Sequence, residues 1–228
     1  MREIVLDTET TGLDPESGDR LVEIGGVELF NHMPTGRTYH QYINPERAMS
    51  AEAFAVHGLG DDFLRDKPVF RAVVDEFLAF LEDATLVIHN ASFDMKFINA
   101  ELGWLGRPGI PFDRAIDTLA IARKKFPGSP ASLDALCRRF GIDNSARTLH
   151  GALLDSQILA EIYLELIGGR QPGLVLSATE TRAEISVGAG RLGPRPRPLA
   201  PRLTEEEAAA HARFVGALGD DAVWKRFS

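Results

Sequence analysis

The run REIVLDTETTG, Arg2 to Gly12, joins an apolar strand to two carboxylates and a turn. Arg2 to Leu6 has the aliphatic, β-branched content of a buried strand, and the Thr-Thr-Gly that follows supplies turn residues. Asp7 and Glu9 stand two apart at the strand's end. Because side chains alternate across a strand, both carboxylates fall on one face of the sheet. Two like charges so close are costly unless a cation neutralises them. A solvated strand end before an ordinary turn is the competing explanation for this motif alone.

Outward from that strand, the periodicity predicts further strands at Leu21 to Phe30 and Thr38 to Ile43, then a short helix from about Ser50 to Val56. KPVFRAVVDEFLAFLE places Pro68 at a first helical position and Val69, Val73, Phe77 and Leu81 on one face. A buried strand follows at Thr85 to His89, a helix at Phe93 to Leu102 and a short strand near Ile116. Helices at Thr118 to Lys125, Leu133 to Phe140 and Ala152 to Ile167 complete the pattern. Strands lead and helices alternate later, which predicts an α/β sandwich: a mixed sheet flanked by helices.

Two further segments carry acids at element ends. HNASFD, His89 to Asp94, puts Asp94 where a strand turns into a helix, a position usually taken by a cap. In HGALLDSQ, His150 precedes a helix and Asp155 lies within it. Five helical steps would set these two about 140 degrees apart, so a shared site requires His150 to lie on the loop leading in. The helix is otherwise apolar around Leu153, Leu154, Ile158, Leu159 and Ile162. Asp155 therefore needs a partner, since an unpaired buried carboxylate costs several kcal/mol. Acids without thiolates favour Mg²⁺ or Mn²⁺ over zinc. Two such ions a few Å apart can hold the attacking and leaving oxygens of a phosphoryl transfer, with the histidine serving as base.

The 228 residues are 44% hydrophobic, enough for a real core, and carry 25 Lys plus Arg against 33 Asp plus Glu, a net charge of −8. That balance excludes a protein gripping nucleic acid by a broad basic face. A lone cysteine, Cys137, excludes a disulfide framework and favours a reducing cytoplasm. No apolar run approaches the roughly 20 residues that span a bilayer, so no membrane partner is expected. Composition shifts near Gly168: residues 1–167 hold the apolar periodicity and a net charge of −10, and 168–203 is a Gly/Pro/Arg linker of +4 containing GRLGPRPRPLAPR. Residues 204–228, of net charge −2, open with TEEEAAAHARFVGAL, a capped amphipathic helix.

DTETTG, HNASFD and HGALLD, in that order and at these separations, resemble the three motifs of the DEDDh 3′-to-5′ exonucleases, the DnaQ-like branch of the ribonuclease H-like superfamily. EAFAVHGL, ARKKFPG, SLDALCRRFGIDNSARTLHGALLDSQILAEIYL and the detached tail make the whole chain similar to the proofreading subunits of bacterial replicative polymerases. The resemblance implies that Asp7, Glu9 and Asp155 hold two divalent ions, with Asp94 contributing to the second. It implies that His150 takes a proton from the attacking water as a nucleoside 5′-monophosphate is released. The substrate would be a single-stranded or frayed DNA 3′ end, met by Asp7, Glu9, Thr10, Leu13, Glu52, His57 and Asp155. Leu13 would wedge against the terminal bases. Without the resemblance, Glu52 reads as a solvated helix residue and His57 as a helix-end cap, while Asn90 and Phe93 read as support for the turn and core. Gln171, Leu174 and Leu176 in QPGLVL resemble a sliding-clamp-binding peptide. Phe214, Leu218, Trp224 and Phe227 fall in the segment that anchors such subunits to the polymerase subunit. Rival expectations are a DEDDh exoribonuclease and a non-catalytic subunit that stabilises a polymerase.

Overall fold

A computed structural model describes residues 1–147, 149–169 and 203–218. Strand β1 (Arg2–Thr10) pairs antiparallel with β2 (Leu21–Phe30), which pairs antiparallel with β3 (Met33–Tyr42). On its other side β1 runs parallel to β4 (Thr85–Ile88), and β4 runs parallel to β5 (Ala115–Asp117). The sheet order is therefore β3-β2-β1-β4-β5, the mixed sheet expected.

β1 does not stop at Leu6. β2 continues to pair with it, Asp7 opposite Gly25 and Glu9 opposite Glu23, so the two acids lie within the ladder and share a face as alternation requires. β3 begins earlier than the expected Thr38, because Asn31 and His32 both adopt positive φ (51° and 66°) and close a two-residue hairpin.

Helices α1 (Ala51–His57), α2 (Asp61–Leu64) and α3 (Phe70–Leu81) follow the third strand. Ser50 caps α1 by accepting from the Ala53 N–H. Pro68 does not open α3: its carbonyl accepts from Asn44 N–H at 2.9 Å, and the helix starts two residues later with Val69 as its N-terminal flank. The later helices are α4 (Ala91–Trp104), α5 (Thr118–Lys125), α6 (Leu133–Phe140) and α7 (Ala152–Leu166). α4 starts two residues earlier and ends two later than the periodicity indicates.

Each face of the sheet buries its own core. Ile4 and Leu6 join Phe70, Val73 and Phe77 of α3 and Met95, Ile98 and Leu102 of α4 on one side. Val5, Val27 and Val87 join Leu136 of α6 and Ile158, Leu159 and Ile162 of α7 on the other. Each such fully buried side chain contributes roughly 1.5–3 kcal/mol of transfer free energy. Since Val5 faces α7, so do Asp7 and Glu9, which share its parity in β1.

The seat of α7 on the sheet depends on Gly25. A Cβ built there would lie 2.2 Å from backbone atoms of Ala152 and Leu153, and Ser156 Oγ donates to the Gly25 carbonyl at 3.0 Å. Gly25→Ala is therefore expected to cost about 3 kcal/mol, as overpacking against backbone has little room to relax. It should also lift Asp155 away from the sheet. Thermal unfolding checks the first effect, and an unchanged melting temperature would contradict the close approach.

The second described unit is α8 (Glu205–Ala217), opened by a capping box in which Thr204 and Glu207 satisfy each other's backbone N–H groups. Phe214 and Leu218 are exposed on it. Among the described residues, no helix is long and apolar enough to cross a membrane.

Candidate active site

The parallel strands β1 and β4 end on the same edge of the sheet, and the acids gather there. Asp7 and Glu9 come from β1, Asp94 from the first turn of α4 and Asp155 from the first turn of α7. Asp94 is no cap. Asn90, in the left-handed region at φ 64°, starts the helix at Ala91, so Asp94 is carried past the capping position and buried, where it accepts from Thr8 Oγ1 at 2.7 Å. His150 lies outside α7, whose N-terminal flank is Gly151, as the helical geometry demanded. Its backbone N–H donates to the Val56 carbonyl at 3.1 Å, and its Nδ1 stands 3.4 Å from Asp155 Oδ2. Ligand atoms of Glu9, His150 and Asp155 all lie within 4.8 Å of one another.

The charges are poorly compensated. Burial raises the proton affinity of Asp7 well above the carboxylate range, and the charges of Asp94, Glu9 and Asp155 raise it further. Glu9 is pushed up to about 8, by burial first and then by Glu23, its neighbour across β2. Asp94 is pushed up to about 7 by burial, against the opposing hydrogen bond from Thr8. Crowded carboxylates held in this way, with oxygen donors and a single imidazole, fit hard divalent cations.

Among the described residues, one guanidinium forks onto the cluster. Arg147, absent from the residues singled out by sequence, forks onto Asp155 with Nε to Oδ1 at 2.5 Å and Nη2 to Oδ2 at 2.7 Å. Its Nη1 donates to Asp134 Oδ1 at 2.9 Å, and its Nη2 also approaches His150 Nδ1 at 2.9 Å. Asp155 thus has the partner its burial requires. The only hint in NSARTLHG is a basic residue three before His150, and a loop sequence does not reveal where its side chain will fold. Burial and the nearby guanidinium push the His150 proton affinity below the ordinary histidine value, with Asp155 and Asp134 opposing.

A cleft of about 630 Å³ opens over the acids, walled by Thr10, Leu13, Glu52 and His57. Leu13 is 83% exposed at its lip, and Glu52 is exposed on the rim of α1. His57 is buried and does end α1: its Nδ1 accepts from Leu59 N–H at 3.0 Å, which leaves Nε2 to donate to the Thr10 carbonyl at 3.2 Å. Burial lowers its proton affinity, keeping it neutral. Asn90 and Phe93 line the cleft as well as bracing the start of α4, with the Phe93 ring 5.0 Å from that of Phe97. A second cleft of about 470 Å³ continues past Asp7, His89 and His150 to Arg123 and Arg147. Gln171, Leu174, Leu176, Trp224 and Phe227 lie outside the described residues.

Residues 4–163 match the family model described as exonuclease. The chain is 48% identical over 223 residues to DNA polymerase III subunit epsilon of Rickettsia felis, covering 96% of this chain and 97% of that one. It is 46% identical over 240 residues to the Escherichia coli protein of the same name, covering 98% and 97%. Among solved structures, Exonuclease X in complex with 5′ overhanging duplex DNA matches with a TM-score of 0.58 at 27% identity, over 72% of this chain and 90% of that one. The nuclease domain of a DEDDh-family exonuclease bound to rAMP matches with a TM-score of 0.62 at 22% identity, over 73% and 91%, a likeness of fold.

Proposed function

Because this chain belongs to the exonuclease family, we infer that its carboxylate and histidine centre is that of a 3′-to-5′ exonuclease, the proofreading component of a bacterial replicative DNA polymerase. The observation that carries this reading is the convergence of Asp7, Glu9, Asp94 and Asp155 around His150 at one edge of the sheet. Asp7, Glu9 and Asp155 would hold two divalent ions, Mg²⁺ or Mn²⁺, with Asp94 serving the second. When bound, the ions supply charge neutralisation at the reacting phosphate and at the departing 3′ oxygen. His150 accepts a proton at a ring nitrogen from the attacking water, and its depressed proton affinity keeps it neutral near physiological pH.

On the nucleotide side, Leu13 offers an apolar edge to the terminal base, while Glu52, His57 and Thr10 wall the pocket beside the metal ligands. These contacts are few, and the nuclease body is acidic. Affinity for DNA is accordingly supplied by tethering, which raises the local concentration of the primer end. Residues 1–167 form the nuclease, 168–203 the tether and 204–228 the anchor. Phe214 and Leu218, exposed on α8, would join Trp224 and Phe227 in binding the alpha subunit of DNA polymerase III in the cytoplasm. Gln171, Leu174 and Leu176 would meet the sliding clamp.

The test compares a mispaired DNA primer with RNA of equal length, each with and without EDTA. Metal-dependent shortening of the DNA with the RNA left intact is the expected result, whereas preferential loss of the RNA would favour an exoribonuclease. Truncation after Leu203 should leave nuclease activity intact and end co-purification with the polymerase subunit. Persisting co-purification would refute the anchor.

A further inference from the structure

The Arg147 fork occupies what the reaction needs. Both Asp155 oxygens accept from it, at 2.5 and 2.7 Å, and the guanidinium is held by a second acid, Asp134, at 2.9 Å. Arg147 is 7% exposed in its side chain and Asp155 4%, so this is an enclosed, charge-assisted pair with bidentate geometry. The same Nη2 points at the His150 ring, 2.9 Å from Nδ1 and 3.2 Å from Nε2. Lying close to both ring nitrogens at once, the guanidinium crowds the imidazole that would receive the water's proton while it holds the carboxylate that would ligate metal.

We propose that Arg147 is a displaceable latch: its guanidinium and the divalent ions compete for the Asp155 carboxylate, and Arg147 must withdraw to free Asp155 for ligation and His150 for proton transfer. Asp134 gives the latch an anchor when it lets go. Asp134 is half exposed, is held by Asn144 Nδ2 at 2.9 Å, and lines the second cleft beside Arg147. The guanidinium can thus remain paired after leaving Asp155, without unfolding the loop that carries His150. Arg147 is a positioning residue on this account, acting through Asp155 and His150 rather than on the substrate.

The inference rests on the metal-dependent exonuclease reading. It is tested on the full chain without DNA, by calorimetric titration with Mn²⁺ after EDTA treatment and dialysis. Removing a competitor strengthens what it competes with. Losing a charge-assisted pair of this kind corresponds to about a tenfold change in an equilibrium constant, so Arg147→Gln should bind Mn²⁺ about tenfold more tightly than the native chain, with Arg147→Lys between the two. The rise in melting temperature on adding Mn²⁺ should be larger for Arg147→Gln as well. If Arg147 merely braces the loop, Arg147→Gln would bind Mn²⁺ equally or more weakly, and the latch would be refuted. Should that variant fail to fold, the Arg147 Nε–H resonance of the native chain decides. Saturating Mg²⁺ should shift it and speed its exchange with water, and a resonance unchanged by Mg²⁺ would overturn the proposal. Failure of the functional reading looks different, since the native chain would then bind neither ion.

Discussion

Asp7→Asn is expected to abolish Mg²⁺-dependent shortening of single-stranded DNA, by about three orders of magnitude or more in rate, while making the EDTA-treated protein harder to unfold. The first effect follows because a neutral amide at the centre of the cluster cannot replace a carboxylate ligand, and bound metal contributes several kcal/mol to the transition state. The second follows from the sign of the proton affinity. Burial and the neighbouring acids hold Asp7 well above its ordinary value, so its ionisation opposes folding at every pH above that of the unfolded chain's carboxylates. Removing the charge removes that cost. Asp155→Asn should lose activity equally but lose stability, by roughly 1.5–3 kcal/mol, because the charge-assisted pair with Arg147 goes and only the Asp134 contact remains to that guanidinium. Thermal unfolding at pH 8 in EDTA separates the two variants. Shifts of the same sign would contradict the charge account, and undiminished nuclease activity in either would remove that residue from the centre.

His150→Gln should lower turnover by about 10²- to 10⁴-fold, the usual worth of a positioned general base, with a far smaller change in metal affinity. Native turnover falls as pH drops and His150 takes a proton. Because burial depresses its proton affinity, that limb lies below the ordinary histidine value of about 6.5. At saturating Mg²⁺, where metal keeps the high-affinity carboxylates Glu9 and Asp94 ionised, the limb should be missing in the variant. A variant with native turnover, or one keeping the same acid limb, would show that another group takes the proton.

Much of this was legible in the chain. Helices α5 and α6 have the limits their periodicity predicts, because apolar faces and clear caps coincide there. The four acids and His150 converge because each lies at or beside the end of an element whose type the pattern makes plain. What escaped depended on geometry between elements. Arg147 lies in an irregular segment, and its fork onto Asp155 arises only once the loop has folded over α7. Asp94 loses its capping role because Asn90 accepts a left-handed backbone and starts α4 early, a choice open to asparagine but not marked by it. The extension of β1 through Glu9 reflects continued pairing with β2, which no window on β1 alone contains.

The central claim is that Asp7, Glu9, Asp94, Asp155 and His150 form one metal-dependent centre acting on DNA from its 3′ end. A primer labelled at its 5′ end and mispaired at its 3′ terminus tests this in a single assay. The account predicts a ladder that shortens one nucleotide at a time, releases nucleoside 5′-monophosphates, and vanishes in EDTA or with Asp7→Asn. Label released from the 5′ end, internal cuts, or a ladder that survives EDTA would contradict it.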